Sequence, residues 1–249
     1  MMGVRFIFGD AREWKYIIQS LATLIDEANF VFTAEGLKLR ALDPSRIAMI
    51  DLELPSIIFE EYECDEETLV GVDLEELNKI LRRGRADERI GFEVTEGRLK
   101  VKIIGKASRT FSLPLIDIVG EELGPLKVTF NVKAKLLSDT LNDAIKDAEQ
   151  ISDAVKFNAN EDVFSLNASS DKGEVEVVFD KESGALIEYE VTEPSTAIYS
   201  TGYLSDMLKK ASALSDIAIV EFSSNKPLSL SFEIAGGGRL TYYLAPRTE

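Results

Sequence analysis

Four stretches of the chain carry apolar residues at helical spacing. In DAREWKYIIQSLATLID (10–26), Trp14, Ile17, Ile18, Leu21 and Ile25 fall on one stripe of a 3.6-residue period. VDLEELNKILRRGR (72–85) repeats the pattern with Leu74, Leu77, Ile80 and Leu81. KAKLLSDTLNDAIKDA (133–148) does so with Leu137, Leu141, Ala144, Ile145 and Ala148, and TGYLSDMLKKAS (201–212) with Leu204, Met207, Leu208 and Ala211. Most of the remainder alternates with a period of two. NFVFTAEGLKLRAL (29–42), RIGFEVTEGRLKVKIIG (89–105), AVKFNANEDVFSLNAS (154–169) and IAIVEFSSNKPLSLSFEI (217–234) each read as two β-runs. They reverse at AEG, TEG, NED and SNKP, which are residue types suited to hairpin turns.

Each predicted helix is thus followed by a predicted hairpin. The helices open near residues 10, 73, 134 and 202, a spacing of roughly 60–70 residues, so the chain reads as a fourfold internal repeat. Two units make a domain of about 120 residues, a common size. The midpoint stretch PLIDIVGEELGPLK (114–127) holds Pro114, Gly120, Gly124, Pro125 and acidic residues with no clean period. The expected division is therefore a domain over 1–116, a connector over 117–127 and a second domain over 128–249. A long loop inside a single domain is the competing reading.

Composition removes several classes of chemistry. The 249 residues include no histidine and one cysteine, Cys64. That excludes histidine-based general-base or triad catalysis, a thiolate zinc site and an internal disulfide. An acid hydrolase built on two carboxylates remains open, although 44 Asp and Glu residues make any chosen pair uninformative. Hydrophobic residues make up 45%, enough for a substantial core. No apolar run approaches the roughly 20 residues of a membrane helix, and MMGVRFIFGDAREW lacks a signal-peptide core, so an intracellular protein is expected. Gln19 and Gln150 are the only glutamines, a composition that fits a hot-environment source.

Charge complicates the picture. The formal net charge is −16 and the pI about 4.6, the reverse of the usual nucleic-acid footprint. Phosphate contact, however, depends on charge within about 8–10 Å. The faces opposite the apolar stripes carry Arg12 and Lys15 on the first helix and Lys79, Arg82 and Arg83 on the second. Lys135 and Lys146 mark the third, and Lys209 and Lys210 the fourth. At least two cations per helix are expected, with acidic excess in stretches such as EEYECDEE (60–67). The second helix alone has a simpler explanation, since acids at its start and bases at its end complement the helix dipole. If all four repeats place their helices on one side of a common sheet, the cations converge. Without interleaved aromatics or a recognition-helix motif, that arrangement suits phosphates rather than bases.

The segments LRALDPSRIAMIDLELP (39–55), VDLEELNKILRRGRADE (72–88) and GGGRLTYYLAPR (236–247) resemble the proliferating cell nuclear antigen (PCNA)-type DNA sliding clamps of archaea and eukaryotes. The likeness runs over essentially the whole chain, and the tail signature is its most specific part. The resemblance implies an α+β clamp fold: two similar domains of helices on antiparallel sheets, with three subunits closing into a pseudo-sixfold ring around duplex DNA. The implied function is a processivity factor for DNA replication and repair, without catalysis, metal or cofactor. The partners implied are identical or paralogous subunits and double-stranded DNA. DNA polymerase, flap nuclease, ligase and clamp loader are further implied partners, binding through short peptide motifs. The implied location is with the chromosomal DNA, in the nucleoid or the nucleus.

The resemblance also implies sites. A client motif of Gln, an aliphatic and two aromatics would meet Leu42, Arg46, Ile47 and Met49, then Leu123, Pro125 and Leu126 of the connector. Pro227, Tyr243, Ala245 and Pro246 would complete that pocket, although without the resemblance core packing is the preferred reading of Leu42, Met49 and Tyr243. The subunit joint would pair SRTFSLPL (108–115) with GEVEVVF (173–179), through Arg109, Phe111, Leu113, Val175 and Val177. Alternatives stay open: one subunit of a heterotrimeric clamp, the carboxylate hydrolase, or an acidic scaffold that never meets DNA. The chain has no G-x-x-x-x-G-K-[ST] loop, so any ATP dependence belongs to another protein.

Overall fold

The structure is a computed structural model, and it describes residues 3–120 and 123–248. Glu121 and Glu122, within the expected connector, lie outside the described residues. The first half of the chain runs β1 (Arg5–Phe8), α1 (Ala11–Ala22), β2 (Glu27–Thr33), β3 (Gly36–Leu42) and β4 (Ala48–Pro55). After a 3-10 turn at Ser56–Ile58 come β5 (Glu61–Glu63), β6 (Thr68–Asp73), α2 (Leu74–Leu81), β7 (Arg89–Thr95), β8 (Arg98–Ile104) and β9 (Ser108–Pro114). The second half runs β10 (Val132–Leu137), α3 (Ser138–Ile151), β11 (Ala154–Ala159), β12 (Val163–Ser170), β13 (Gly173–Asp180) and β14 (Leu186–Val191). It closes with β15 (Ser195–Ser200), α4 (Thr201–Ala211), β16 (Ile217–Phe222), β17 (Leu228–Ile234) and β18 (Gly238–Leu244).

These elements gather into two compact units. One comprises residues 1–44, 50–123 and 234–240, the other 45–49, 124–233 and 241–249. The first unit holds a five-stranded antiparallel sheet in the order β5-β1-β7-β8-β9, and β4, β3, β2 and β6 lie side by side in a second layer. The second unit holds the sheet β13-β12-β11-β15, with β14, β10, β16 and β17 side by side. In each unit the two helices pack against each other and against strands.

The predicted stripes explain this packing. Trp14, Ile17, Ile18 and Leu21 of α1 are fully buried. Trp14 stacks on Phe6 at 5.0 Å and meets Phe92 at 5.0 Å, while Phe6 reaches Phe32 at 6.1 Å. The second unit repeats the device with Phe157, Phe164, Tyr199 and Phe222. Burying one such ring contributes about 2–3 kcal/mol relative to exposure, so the aromatic clusters dominate each core. Three helices begin on a side-chain cap. Asp10 accepts from the amides of Arg12 and Glu13, Asp73 from Glu76, and Ser200 from Tyr203.

The third helix corrects the sequence reading. It opens at Ser138, not near residue 134, and Val132–Leu137 form a strand. Val132, Ala134 and Leu136 are buried while Lys133 and Lys135 point away, a period of two. Partners on both sides, β14 and β16, hold the segment extended. Leu137, expected in the apolar stripe, precedes the helix and is 45% exposed. The amide of Ser138 donates to the Asp216 carbonyl at 2.8 Å, which starts the helix without a side-chain cap.

Candidate nucleic-acid interface and partner sites

On α1, Arg12 is exposed and lies 3.4 Å from Asp10. Lys15 is half-buried; its Nζ donates to the Gly84 carbonyl at 3.4 Å and sits 4.9 Å from the Tyr16 ring centroid. On α2, Lys79 Nζ pairs with Glu76 at 2.7 Å and Glu75 at 3.1 Å, and both carboxylates raise its pKa. Arg82, Arg83 and Arg85 follow the last helical residue and are exposed. Among the described residues, no carboxylate lies within 4.0 Å of the guanidinium nitrogens of these three arginines, although the Arg85 amide donates to Glu88 Oε2 at 3.1 Å. On α4, Lys209 is exposed and Lys210 half-exposed, likewise without such an ion pair. Burial raises the pKa of the nearby Asp206 carboxyl, and Lys209 opposes that shift.

Helix α3 does not follow the expected rule of two cations. Lys135 belongs to β10, where it is half-buried and 3.7 Å from Glu188. The helix itself carries a single cation, Lys146, which lies 3.5 Å from Asp143. Asp139, Asp143, Asp147 and Glu149 are all exposed on α3. The positive charge available to phosphates is therefore unequal: freest at Arg82, Arg83, Lys209 and Lys210, partly committed at Arg12, Lys79 and Lys146. Exposed pairs of this kind are weak, so a phosphate can compete for these cations.

The two strands expected at the joint are both sheet edges. Among the described residues, β9 ends the five-stranded sheet and pairs only with β8, and β13 ends its sheet and pairs only with β12. Phe111 is 37% exposed and Val178 48% exposed. Leu113, Val175 and Val177 are half-buried. Arg109 is already paired with Glu88. An exposed edge with apolar side chains is a template for another strand.

The client-peptide residues are distributed over both units. In the first, Leu42 ends β3, half-buried, and the Leu123 carbonyl accepts from Arg40 at 3.1 Å. In the second, Met49 is buried and Ile47 is 42% exposed. The Ile47 carbonyl accepts from the Ala245 amide at 2.9 Å, and Arg46 adopts a left-handed backbone (φ 58°). Pro125 and Leu126 are exposed, while Pro227 and Tyr243 are half-buried. Pro246 borders a cavity of ≈ 610 Å³ that Lys156, Ala197, Ile198, Asn225 and Arg247 also line. Arg247 fixes the tail there: its amide donates to the Ile198 carbonyl at 2.7 Å and its guanidinium lies 3.1 Å from Asp153.

Two family profiles match the chain. The profile of the proliferating cell nuclear antigen N-terminal domain covers residues 1–111, and that of the C-terminal domain covers 127–247. The chain belongs to the proliferating cell nuclear antigen family. It is 52% identical over 246 residues to the DNA polymerase sliding clamp of Thermofilum pendens, which spans 99% of this chain and all of that one. It is 47% identical to DNA polymerase sliding clamp 1 of Pyrobaculum aerophilum, over 96% of each chain. Among solved structures, PCNA from Thermococcus kodakaraensis superposes with a TM-score of 0.94 at 31% identity, covering 98% of this chain and all of the other. The PCNA2–PCNA3 complex from Sulfolobus tokodaii gives 0.91 at 34%, with the same coverage.

Membership in the PCNA family accounts for the strand-helix-hairpin repeat, since each matched domain holds two helices. Sequence reasoning missed the residues that line the cavity beside Pro246. Ala197 and Ile198 carry no motif, and only the quoted APR of the tail pointed toward them. Arg40 and Asp51 were missed as well, although they stand within the quoted segment 39–55.

Proposed function

We propose that three copies of this chain close into a ring around duplex DNA and that the ring holds replication and repair enzymes on their template. The chain is a sliding clamp, a processivity factor of DNA replication. The observation that carries this is the full-length match to proteins named DNA polymerase sliding clamps. The edge strands β9 and β13 supply the chemistry of the joint: each edge adds the strand of the next subunit, with Phe111, Leu113, Val175 and Val177 meeting across it. The proposed lining cations are Arg12, Lys15, Lys79, Arg82, Arg83, Lys146, Lys209 and Lys210. Lys135 leaves this set because it sits on a strand beside Glu188.

Closure retains the ring on DNA topologically, so the lining needs only weak, mobile phosphate contacts. Binding to open-ended DNA is then weak and steeply salt-dependent. The proposed clients, namely polymerase, flap nuclease, ligase and loader, insert a short motif beside Ile47, Leu126, Pro246 and the connector. The chain does no chemistry on the DNA and acts where the chromosomal DNA is. Analytical ultracentrifugation tests the assembly: a species near three times 27.6 kDa is expected.

A second reading has its own support. Relatives carry numbered names, and one solved structure is a PCNA2–PCNA3 complex. If this chain is one subunit of a mixed ring, it sediments alone as a monomer and closes only with its paralogues.

A further inference from the structure

The connector is fastened to the first unit at two places. At its start, the Ile116 amide donates to the Gly71 carbonyl at 3.0 Å. The Asn29 side chain donates to the Ile118 carbonyl at 3.1 Å. Asn29 and Gly71 are cross-strand partners on β2 and β6, so one site makes both bonds. Gly71 is required there: a Cβ would sit 2.0 Å from the Ile116 carbonyl oxygen. Beyond these bonds Val119 is 97% exposed and Gly120 is bordered by open space. The second fastening is at Leu123, whose carbonyl accepts from Arg40 Nη1 at 3.1 Å.

Arg40 reaches this carbonyl in a fixed pose. Its Nε and Nη2 donate to Asp51 Oδ2 at 3.0 and 2.6 Å, and both side chains are mostly buried. β3 carries Arg40 and β4 carries Asp51, so two strands aim one guanidinium. The planar fork of arginine serves a carboxylate and a carbonyl together; a lysine ammonium on its flexible stem does not hold that geometry.

We propose that Arg40, oriented by Asp51, is a positioning residue for client binding: it fixes the second half of the connector through the Leu123 carbonyl. This rests on the reading that the connector borders the client-peptide site. Arg40 touches no client itself. It limits the conformations that the chain around Leu123 samples before a peptide arrives, which lowers the ordering cost of binding.

Two variants test it. Arg40→Lys keeps the charge but not the fork. Arg40→Leu with Asp51→Leu removes both charges together, so no carboxylate is left buried and unpaired. Cleavage of the intact protein by a glutamate-specific protease is followed at Glu121 and Glu122, with melting temperature and sedimentation as controls for folding and assembly. The probe is a synthetic peptide containing Gln, an aliphatic and two adjacent aromatics, and its affinity is read by fluorescence anisotropy. In both variants we expect cleavage at these two positions to quicken about tenfold. Peptide affinity falls about tenfold, which corresponds to ~1.4 kcal/mol, with melting temperature and ring mass little changed. Unchanged cleavage overturns the proposal, and so does quickened cleavage with undiminished affinity. A peptide that does not bind the wild type overturns the client-site reading instead, and the cleavage rates then decide whether Arg40 holds the connector.

Discussion

The unequal freedom of the helix cations makes a quantitative prediction about DNA. Arg82, Arg83, Lys209 and Lys210 have no carboxylate within 4.0 Å among the described residues, whereas Lys79 is shared by Glu75 and Glu76. Each phosphate contact contributes about 0.9 to the slope of log affinity against log salt. Replacing the four free cations by glutamine removes up to four contacts per chain. The slope for open-ended duplex is then expected to fall by as much as roughly 3–4 for each subunit of the ring that contacts the DNA. Between 50 and 200 mM salt each lost contact is about half a decade of affinity. The converse variant, Glu75→Gln with Glu76→Gln, releases Lys79 and steepens the slope by up to about 0.9 for each subunit that contacts the DNA. The assay is equilibrium binding to linear DNA across a salt series, with retention on closed circular DNA after loading measured in parallel. Retention is expected to change little, because the closed ring rather than the phosphate contacts provides it. The reasoning fails if the fourfold variant keeps the wild-type slope, or if freeing Lys79 weakens binding.

Other consequences can be checked separately. Phe111→Asp or Val177→Asp places a charge on an edge strand of the proposed joint, and the sedimenting mass is expected to fall toward 27.6 kDa with melting of the chain preserved. Gly71→Ala forces the Ile116 carbonyl away from a position 2.0 Å from the new Cβ; a loss of about 1–3 kcal/mol by denaturant unfolding is expected. Burial pushes the Tyr189 hydroxyl up to about 12, with its proton held by the Asn160 and Val163 carbonyls. Its contribution is complete below the ordinary tyrosine value of about 10 and is lost as pH rises toward 12, because only the unfolded chain ionises in that window. Tyr189→Phe is expected to flatten the stability decline between those values and to remove one late step from the ultraviolet titration. Burial likewise raises the Glu13 carboxyl, so it favours folding at acid pH and loses that effect as pH rises through its folded value. Glu13→Gln is expected to stabilise the protein at pH 7 more than at pH 4.

Much of this protein was determined by its sequence alone. The apolar stripes of α1, α2 and α4 and the four hairpins follow from local periodicity, because a segment with one apolar face has one economical way to bury it. The turn residues at AEG, TEG, NED and SNKP set where strands reverse. What local pattern could not determine was the start of α3. KAKLL supports either period, and only β14 and β16 on its two sides made Val132–Leu137 a strand and removed Lys135 from the helix face.

The tertiary structure also decided which charges are free. Sequence places Lys79 and Arg82 on one helical segment as equals, yet one is flanked by two carboxylates and the other is not. The edge positions of β9 and β13, the cavity beside Pro246 and the bond from Arg40 to the Leu123 carbonyl arise from contacts between residues distant in the chain. Such contacts leave no mark on periodicity or spacing, since long-range neighbours are set by how strands are ordered in a sheet rather than by the local preference of any one strand.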